Sequence, residues 1–296
     1  MTLEHQTIPY QVQRGVTTTL SVQFFEDGVE ADPGTVTVGI VDEAGAEIVA
    51  AGPSTDGSGT DPRTYELDPQ DDLNLLIVTW STDASGEFNS RVEVVGEHLF
   101  TMREARTFDA ALLKSTTEYP PAALEEARAR ITDDFYDAMG VSHIPRYRRI
   151  TLSGTGSKQL FLPDLYLLDV RSVESRLHGE TEWEAFDQTA MDALITTESG
   201  IVKRTNADWR SDTEYRVVYE HGYGAPPLPV KRAALVLLTS YLGATRSSWD
   251  PRATSMRTAE GGVISLSTPG RAGATYGLPE VDAVIQRYSE HVPGIA

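Results

Sequence analysis

From Tyr215 to Leu242 an alternating strand, Tyr215-Arg216-Val217-Val218-Tyr219, runs through a Gly/Pro-rich turn directly into a helix. Pro229 suits the first helical turn, where a missing N–H leaves nothing unsatisfied. After it Val230, Ala233, Ala234, Leu237, Leu238, Tyr241 and Leu242 recur at helical spacing and form one continuous face. Burying that face is worth on the order of 10 kcal/mol, so the helix belongs to a core. The chain must therefore pack helix against helix or sheet, which predicts an α+β fold. The stretch itself carries no reactive pattern and is scaffold.

The chain has 296 residues and no cysteine. That length fits roughly two domains. The missing thiols exclude disulfides, thiolate nucleophiles and Cys-ligated zinc, and they suit a cytoplasmic or virion protein or a secreted one built without disulfides. No apolar run reaches the roughly 18 residues of a membrane span, so no membrane partner is expected. Met1 to Tyr10 has neither a basic start nor an apolar run, so no signal peptide is expected there.

Charge is unevenly spread. Residues 1–100 hold three basic side chains against eighteen acidic ones, a balance of −15, which leaves −4 of the chain's −19 for residues 101–296. Such a break predicts a domain boundary near residue 100, with domains at 1–100 and 101–296. The acidic part alone is unsuited to nucleic acid. It reads as all-β: Thr18, Leu20, Val22 and Phe24 alternate, as do Val36, Val38 and Ile40, then Leu75, Ile77 and Thr79, then Val92 and Val94. Turn signals at Glu26-Asp27-Gly28, Asp32-Pro33-Gly34, Asp42 to Gly45 and Gly52 to Asp61 separate these runs. Six or seven short strands at this spacing predict an immunoglobulin-like sandwich, with Trp80 in its core.

The second part opens on Thr101-Met102-Arg103-Glu104, a capping-box pattern. Pro120-Pro121 starts a longer helix with Leu124, Ala127, Ile131, Phe135 and Ala138 on one face, and Gly140 stops it. Helices are thus predicted near 102–139, 229–245 and 279–291, the last with Val281, Val284, Ile285 and Tyr288 on one face. A β-rich insert over 146–222 contributes candidate strands at 148–152, 159–162, 170–175, 201–204 and 215–219.

Residues 246–278 form a long Ser/Thr/Gly/Arg segment with Arg246, Arg252, Arg257 and Arg271 against Asp250 and Glu260. A connection of this length without its own core is usually functional or disordered. Within it Gly262 to Ser267 alternates, with Ile264 and Leu266 on one side, like a strand that adds to another chain. Arg146-Tyr147-Arg148-Arg149 is the one basic cluster with an aromatic. It is a candidate for acidic pairing within the chain or across a subunit contact, or for DNA phosphates.

Catalytic signatures are scarce. The six histidines (5, 98, 143, 178, 221 and 291) are isolated, without metal-ligand spacing, and His221 reads as structural. Ser153 to Lys158 hints at a phosphate loop but lacks its spacing, and Gln159 stands where a magnesium-binding hydroxyl belongs, so a hairpin turn is expected. No Gly-x-Ser-x-Gly elbow occurs. Asp71-Asp72 and Asp133-Asp134 are sequence neighbours whose side chains diverge, and they read as solvated. No enzyme, cofactor or metal is expected.

The second part resembles the head-to-tail adaptor (connector) proteins of long-tailed bacteriophages. The matching pieces, over residues 99–296, are Tyr119-Pro120, Ala127-Arg128, Ile131 and Gly140; Leu160 to Pro163 with Val170 and Val173; Trp209, Tyr215 to Tyr219 and Gly222-Tyr223; and Pro229, Ala233-Ala234, Tyr241 and Arg246. The most specific is Gly277-Leu278-Pro279-Glu280-Val281-Asp282-Ala283 with Arg287-Tyr288. With its N-terminal sandwich the chain resembles versions from phages of actinobacteria. The resemblance implies a small helical-bundle adaptor domain with a β insert. It also implies a dodecameric ring in the virion neck, made in the host cytoplasm, with the portal protein on one side and a stopper or tail terminator protein on the other. Packaged double-stranded DNA would pass through the channel. By the same carry-over Glu280, Val281, Val284, Ile285 and Tyr288 would contact the portal, and a loop bearing Arg252, Arg257, Ile264, Leu266 and Arg271 would reach neighbours or the tail. Arg146, Arg148 and Arg149 remain the candidate subunit or DNA contact. Two other classes stand beside it: a surface or cell-wall-binding protein using the sandwich as its module, and a glycosidase with two dispersed carboxylates.

Overall fold

The computed structural model describes residues 3–52, 55–83, 86–244, 255–257, 263–265 and 275–290. The fold is mixed α+β and dominated by antiparallel sheet. In chain order the elements begin with β1 (Leu3–Ile8), β2 (Gln11–Gln13), β3 (Thr18–Glu26), β4 (Val29–Glu30), β5 (Val36–Asp42), β6 (Glu47–Val49), β7 (Arg63–Leu67), β8 (Asn74–Thr82) and β9 (Gly86–Val95). Next come α1 (Met102–Phe108), α2 (Ala110–Leu113), α3 (Pro121–Met139), β10 (Arg146–Ser153), β11 (Gln159–Phe161), β12 (Leu167–Leu177), β13 (Glu184–Ala185) and α4 (Gln188–Asp192). The chain continues with β14 (Leu194–Thr196), β15 (Ile201–Arg204), β16 (Thr213–His221), α5 (Leu228–Ala244), β17 (Ser255–Arg257), β18 (Val263–Ser265) and α6 (Pro279–Tyr288).

Two compact units emerge, one of Met1–His98 with Ile144–Ala225 and one of Leu99–His143 with Pro226–Pro293. The partition follows compactness and not the charge break alone. Residues 144–225, expected as an insert of the second domain, group with the acidic sandwich. Polar ties join these two sequence-distant stretches, among them Arg146 with Glu93 and Arg171 with Asp72.

In the first unit, β1 and β7 both pair with β3, and β4 completes that sheet. The facing sheet runs β2-β9-β8-β5-β6. β2 lies parallel to β9, and the other pairs are antiparallel. The period-two pattern explains the core: Leu20, Val22 and Phe24 from β3 meet Val36, Val38 and Ile40 from β5, Leu76, Val78 and Trp80 from β8, and Val92 and Val94 from β9. Leu75, Ile77 and Thr79 are the half-exposed partners of that alternation, so the inward register of β8 is one residue away from the expected one. The buried Trp80 indole donates to Thr7 Oγ1 at 3.0 Å, which satisfies its one polar atom. Arg63, 3% exposed, donates to the carbonyls of Asp61, Gly34 and Gly59 and to Asp32, so one guanidinium ties the turns at one end of the sandwich.

The same unit holds a second pair of sheets, β10-β16-β12-β13 and β11-β15-β14. β16 is central, and Tyr215, Val217 and Tyr219 point into a core with Leu160, Leu162, Val173, Val202 and Trp209. Turn Ser153–Lys158 leads from β10 to β11. A Cβ on Gly154 would lie 2.0 Å from the Arg210 carbonyl, so only glycine fits there.

The second unit is helical. The capping box forms as its pattern demands, with Thr101 and Glu104 bonding reciprocally. Pro121 opens α3, and Gly140 closes it in a left-handed conformation at φ 71°. Leu124, Ile131 and Phe135 of α3 are buried, as are Val230, Ala233, Ala234, Leu237 and Leu238 of α5 and Val281 and Ile285 of α6. β17 and β18 pair with each other, Met256 opposite Ile264.

Candidate functional site

The basic cluster on β10 is held by partners within its own compact unit. Arg146 forms a two-pronged bond with Glu93, at 2.7 Å from both Nε and Nη2. Arg148 Nη1 reaches both oxygens of Asp164 at 3.0 Å. Arg149 donates to the Glu43 carbonyl at 2.9 Å. Together with Tyr147 and Leu75 they line a cleft of about 230 Å³. Burial and the Glu43 carboxylate push the Tyr147 hydroxyl up, so it stays protonated. Of the roles considered for these arginines (pairing within the chain, a subunit contact, DNA phosphates), pairing within the chain is seen for Arg146 and Arg148, and Arg149 bonds a backbone carbonyl. For Arg146 a phosphate contact would have to break a two-pronged bond between largely buried groups, which costs several kcal/mol on the scale of buried ion pairs.

Asp164 was missed by pattern reasoning, although an acid inside the apolar run Leu160 to Tyr166 is a signal of a buried carboxylate. It is 2% exposed and accepts from Arg148 and, at 2.5 Å, from the Tyr219 hydroxyl. His221 Nδ1 lies 3.7 Å from the same carboxylate. Burial holds the His221 imidazole down at about 4, against the partial pull of Asp164 upward. The cluster is thus a carboxylate neutralised by a guanidinium, with a neutral imidazole beside it. Near it Glu220, pushed up by burial, lies 3.4 Å from Arg14, and Arg171 pairs with Asp72 at 2.8 Å.

The phosphate-loop hint at Ser153–Lys158 dissolves on inspection of its donors. Gly154 N–H bonds the Thr213 carbonyl, Gly156 N–H the Trp209 carbonyl, and Ser157 N–H the Thr155 hydroxyl. No row of free amides is left for an anion to face. Asp134, expected as solvated, instead accepts from the Tyr241 hydroxyl at 2.6 Å, while its carbonyl accepts from Tyr276 at 3.3 Å. Asp72 is exposed but engaged with Arg171.

In helix α6 two of the five residues of the expected portal-contact set are buried. Val281 and Ile285 are buried within the helical unit and cannot present themselves to a partner. Val284 is half-buried, Tyr288 packs its ring 6.0 Å from His143, and Glu280 is exposed while bonded to Arg232 at 2.5 Å. The outward face is Glu280, Ala283, Gln286 and Arg287. The start of the helix is a built turn in which Asp282 Oδ1 accepts from Tyr276 N–H at 2.8 Å.

Of the loop residues, Arg257 and Ile264 lie on β17 and β18, whose pairing is intrachain. Arg252, Leu266 and Arg271 lie outside the described residues. Among the described residues no group of three His, Asp or Glu side chains is placed to hold a metal, and no helix is long and apolar enough to cross a membrane.

No protein-family model matches the chain. No curated protein matches it. Among solved structures, a chain of the neck of an empty GTA particle computed with C6 symmetry is similar at 13% identity and TM-score 0.44, covering 67% of this chain and 97% of that one. A chain of the virion of a native gene transfer agent particle is similar at 14% identity and TM-score 0.38, covering 58% and 80%. A superoxide reductase (neelaredoxin) from Ignicoccus hospitalis shares 12% identity at TM-score 0.22 over 32% of this chain and 79% of its own.

Proposed function

We propose that this protein is a structural component of a phage-type virion neck, forming an adaptor ring between the portal and the stopper or tail-side proteins and having no catalytic role. One observation carries the proposal: many residues of the adaptor resemblance are packing residues, while Glu280, Ala283 and Arg287 of its most specific string are exposed. Tyr119, Ala127, Arg128, Ile131, Ala233, Ala234, Val281 and Asp282 are all buried in the helical unit, and Gly140 is the tight helix stop beside Glu290. Leu160, Leu162, Val173, Trp209, Tyr215, Val217 and Tyr219 form the core of the β10–β16 sheets. Surface motifs can recur by shared solvent chemistry, whereas ordered core residues recur with a shared fold.

The N-terminal residues are an immunoglobulin-like module in this proposal. Its support is the switch of β1 and β2 between facing sheets, with β2 parallel to β9. The portal-side contact is assigned to the outward face of α6, and the ring is a homo-oligomer whose channel passes packaged DNA. An acidic chain suits that passage, because cationic walls would hold DNA by counterion release.

The test is a blot of density-purified particles from the producing culture with antibody to residues 1–98, followed by immunogold microscopy. The expected result is a virion-associated band and label confined to the head–tail vertex. Particles free of the protein would refute the proposal.

A further inference from the structure

Two exposed surfaces of the first compact unit are opposite in charge and alike in carrying apolar side chains. The first is the outer face of the β11-β15-β14 sheet. Leu160 and Val202 pair across β11 and β15 and are buried, so the residues that alternate with them share the other face. There Phe161 stands opposite Ile201, and Lys203 stands between Gln159 and Ile195. Phe161 is 48% exposed and Ile195 51%, while Ile201 and Lys203 are half-buried. The three strands hold no Asp or Glu, and Lys203 has no carboxylate partner among the described residues. A cationic apolar patch is out of character in a chain of net charge −19.

The second surface is the β3–β4 hairpin. Asp27 and Gly28, at φ 50° and 77°, make its two-residue turn, where a tight hairpin requires two left-handed residues. Past the turn Val29 is 69% exposed. Register places Glu26 opposite Val29, and it sets Glu4, Phe25 and Glu30 in one row across β1, β3 and β4. Phe24 takes the core, so Phe25 faces outward, half-buried between the exposed Glu4 and Glu30. Among the described residues none of Glu4, Glu26, Asp27 and Glu30 forms an ion pair. An apolar tip flanked by four carboxylates is the complement of an apolar face centred on a lysine. Both surfaces are exposed within one unit, so neither covers the other.

We propose that the β3–β4 hairpin of one copy docks on the β11-β15-β14 face of a second copy, with Val29 against Phe161, Ile195 and Ile201 and the hairpin carboxylates against Lys203. This contact deepens the homo-oligomer reading above and rests on it. Two different surfaces meet, so the contact is head-to-tail and repeats from copy to copy, which generates a ring where the rotation closes. Each surface is small, so a single contact is weak and is best read by covalent trapping.

The chain has no cysteine, so single introduced cysteines report cleanly. A full-length Val29→Cys chain is mixed with an Ile195→Cys chain under air oxidation, and disulfide-linked dimers are followed on non-reducing gels. Each rate is normalised to the thiol's reaction with a small neutral disulfide. The control partner is Val16→Cys, exposed just ahead of β3 at the far end of that strand from the hairpin. The Val29→Cys chain should be trapped by Ile195→Cys faster than the control is, and more slowly as salt is raised. Adding Glu30→Lys to the first chain, or Lys203→Glu to the second, should slow trapping roughly 3- to 10-fold, and combining the two should restore it. Trapping no faster than the control, indifference to both charge reversals, or equal trapping of either chain with itself overturns the proposal. The blot of particles judges the neck reading separately: protein present in particles while the hairpin cysteine is not trapped refutes this contact alone.

Discussion

Replacing His221 with glutamine should flatten the pH dependence of folding of the first compact unit. The imidazole is 3% exposed and held at about 4, whereas the unfolded chain returns it to about 6.5. Above pH 6.5 both states are neutral and the group adds nothing. As pH falls below that value only the unfolded chain takes up the proton, so stability declines until the folded imidazole titrates near 4. The full span amounts to about 3 kcal/mol, and the part lying between pH 7 and pH 5 to about 1.8 kcal/mol. The groups around the ring are Asp164, Tyr219, Arg146 and Arg148. Only the carboxylate pulls its value up, and burial outweighs it. Urea unfolding at both pH values, read by tryptophan emission in a Trp249→Phe background, isolates Trp80, Trp183 and Trp209 of that unit. The native protein should lose about 1.8 kcal/mol more than His221→Gln between pH 7 and pH 5. Glu220, pushed up by burial, acts in the opposite direction but equally in both proteins, so it cancels. Equal losses in the two proteins would refute the argument that a buried neutral imidazole sets the slope.

Arg63→Met should lower stability by about 3 kcal/mol with an unchanged urea slope, because three carbonyls lose a charged donor at once. A double-mutant cycle on Glu93 and Arg146 should give a coupling of about 2 kcal/mol or more, against less than about 1 kcal/mol for Asp72–Arg171, whose carboxylate is exposed. Equal couplings would remove burial as the deciding factor. Gly140→Ala should cost the helical unit about 2 kcal/mol in thermal unfolding, since it combines a positive φ with a Cβ only 2.5 Å from the Glu290 carbonyl.

Helices were legible where end signals and periodicity agreed: Thr101 with Glu104, Pro121 with Gly140, and Pro279 at α6. Central strands such as β5 and β16 were legible from alternation. What escaped was set by distant partners. β1, Leu-Glu-His-Gln-Thr-Ile, is mostly polar, and it is a strand because β3 offers it a sheet edge. β7 begins with Arg63, which looks like a surface residue until three turn carbonyls converge on it. Helix α6 was legible as amphipathic, but an apolar face says only that something covers it. Here the cover for Val281 and Ile285 is the helical unit itself, which leaves Glu280, Ala283, Gln286 and Arg287 as the exposed side.

The charge break near residue 100 shows most clearly how composition and structure diverge. A surplus of −15 over residues 1–100 predicts a separate acidic domain. In the folded chain that surplus has addresses. Glu93 on β9 meets Arg146, and Asp72 ahead of β8 meets Arg171 of β12. The backbone takes part as well, since the carbonyls of Glu43 and Leu73 accept from Arg149 and Arg171. Glu93 and Arg146 are both largely buried in this contact, where either charge left alone would be strongly unfavourable. Of the arginines that a linear reading offers to phosphate, Arg146 is thus the complement of a carboxylate some fifty residues earlier, Arg148 of Asp164 sixteen residues later, and Arg149 of a backbone carbonyl. Opposite charge in distant segments marks a contact at least as readily as it marks a boundary, and only geometry separates the two. The segment 144–225 groups with the sandwich, and its basic residues reach the acids and carbonyls there.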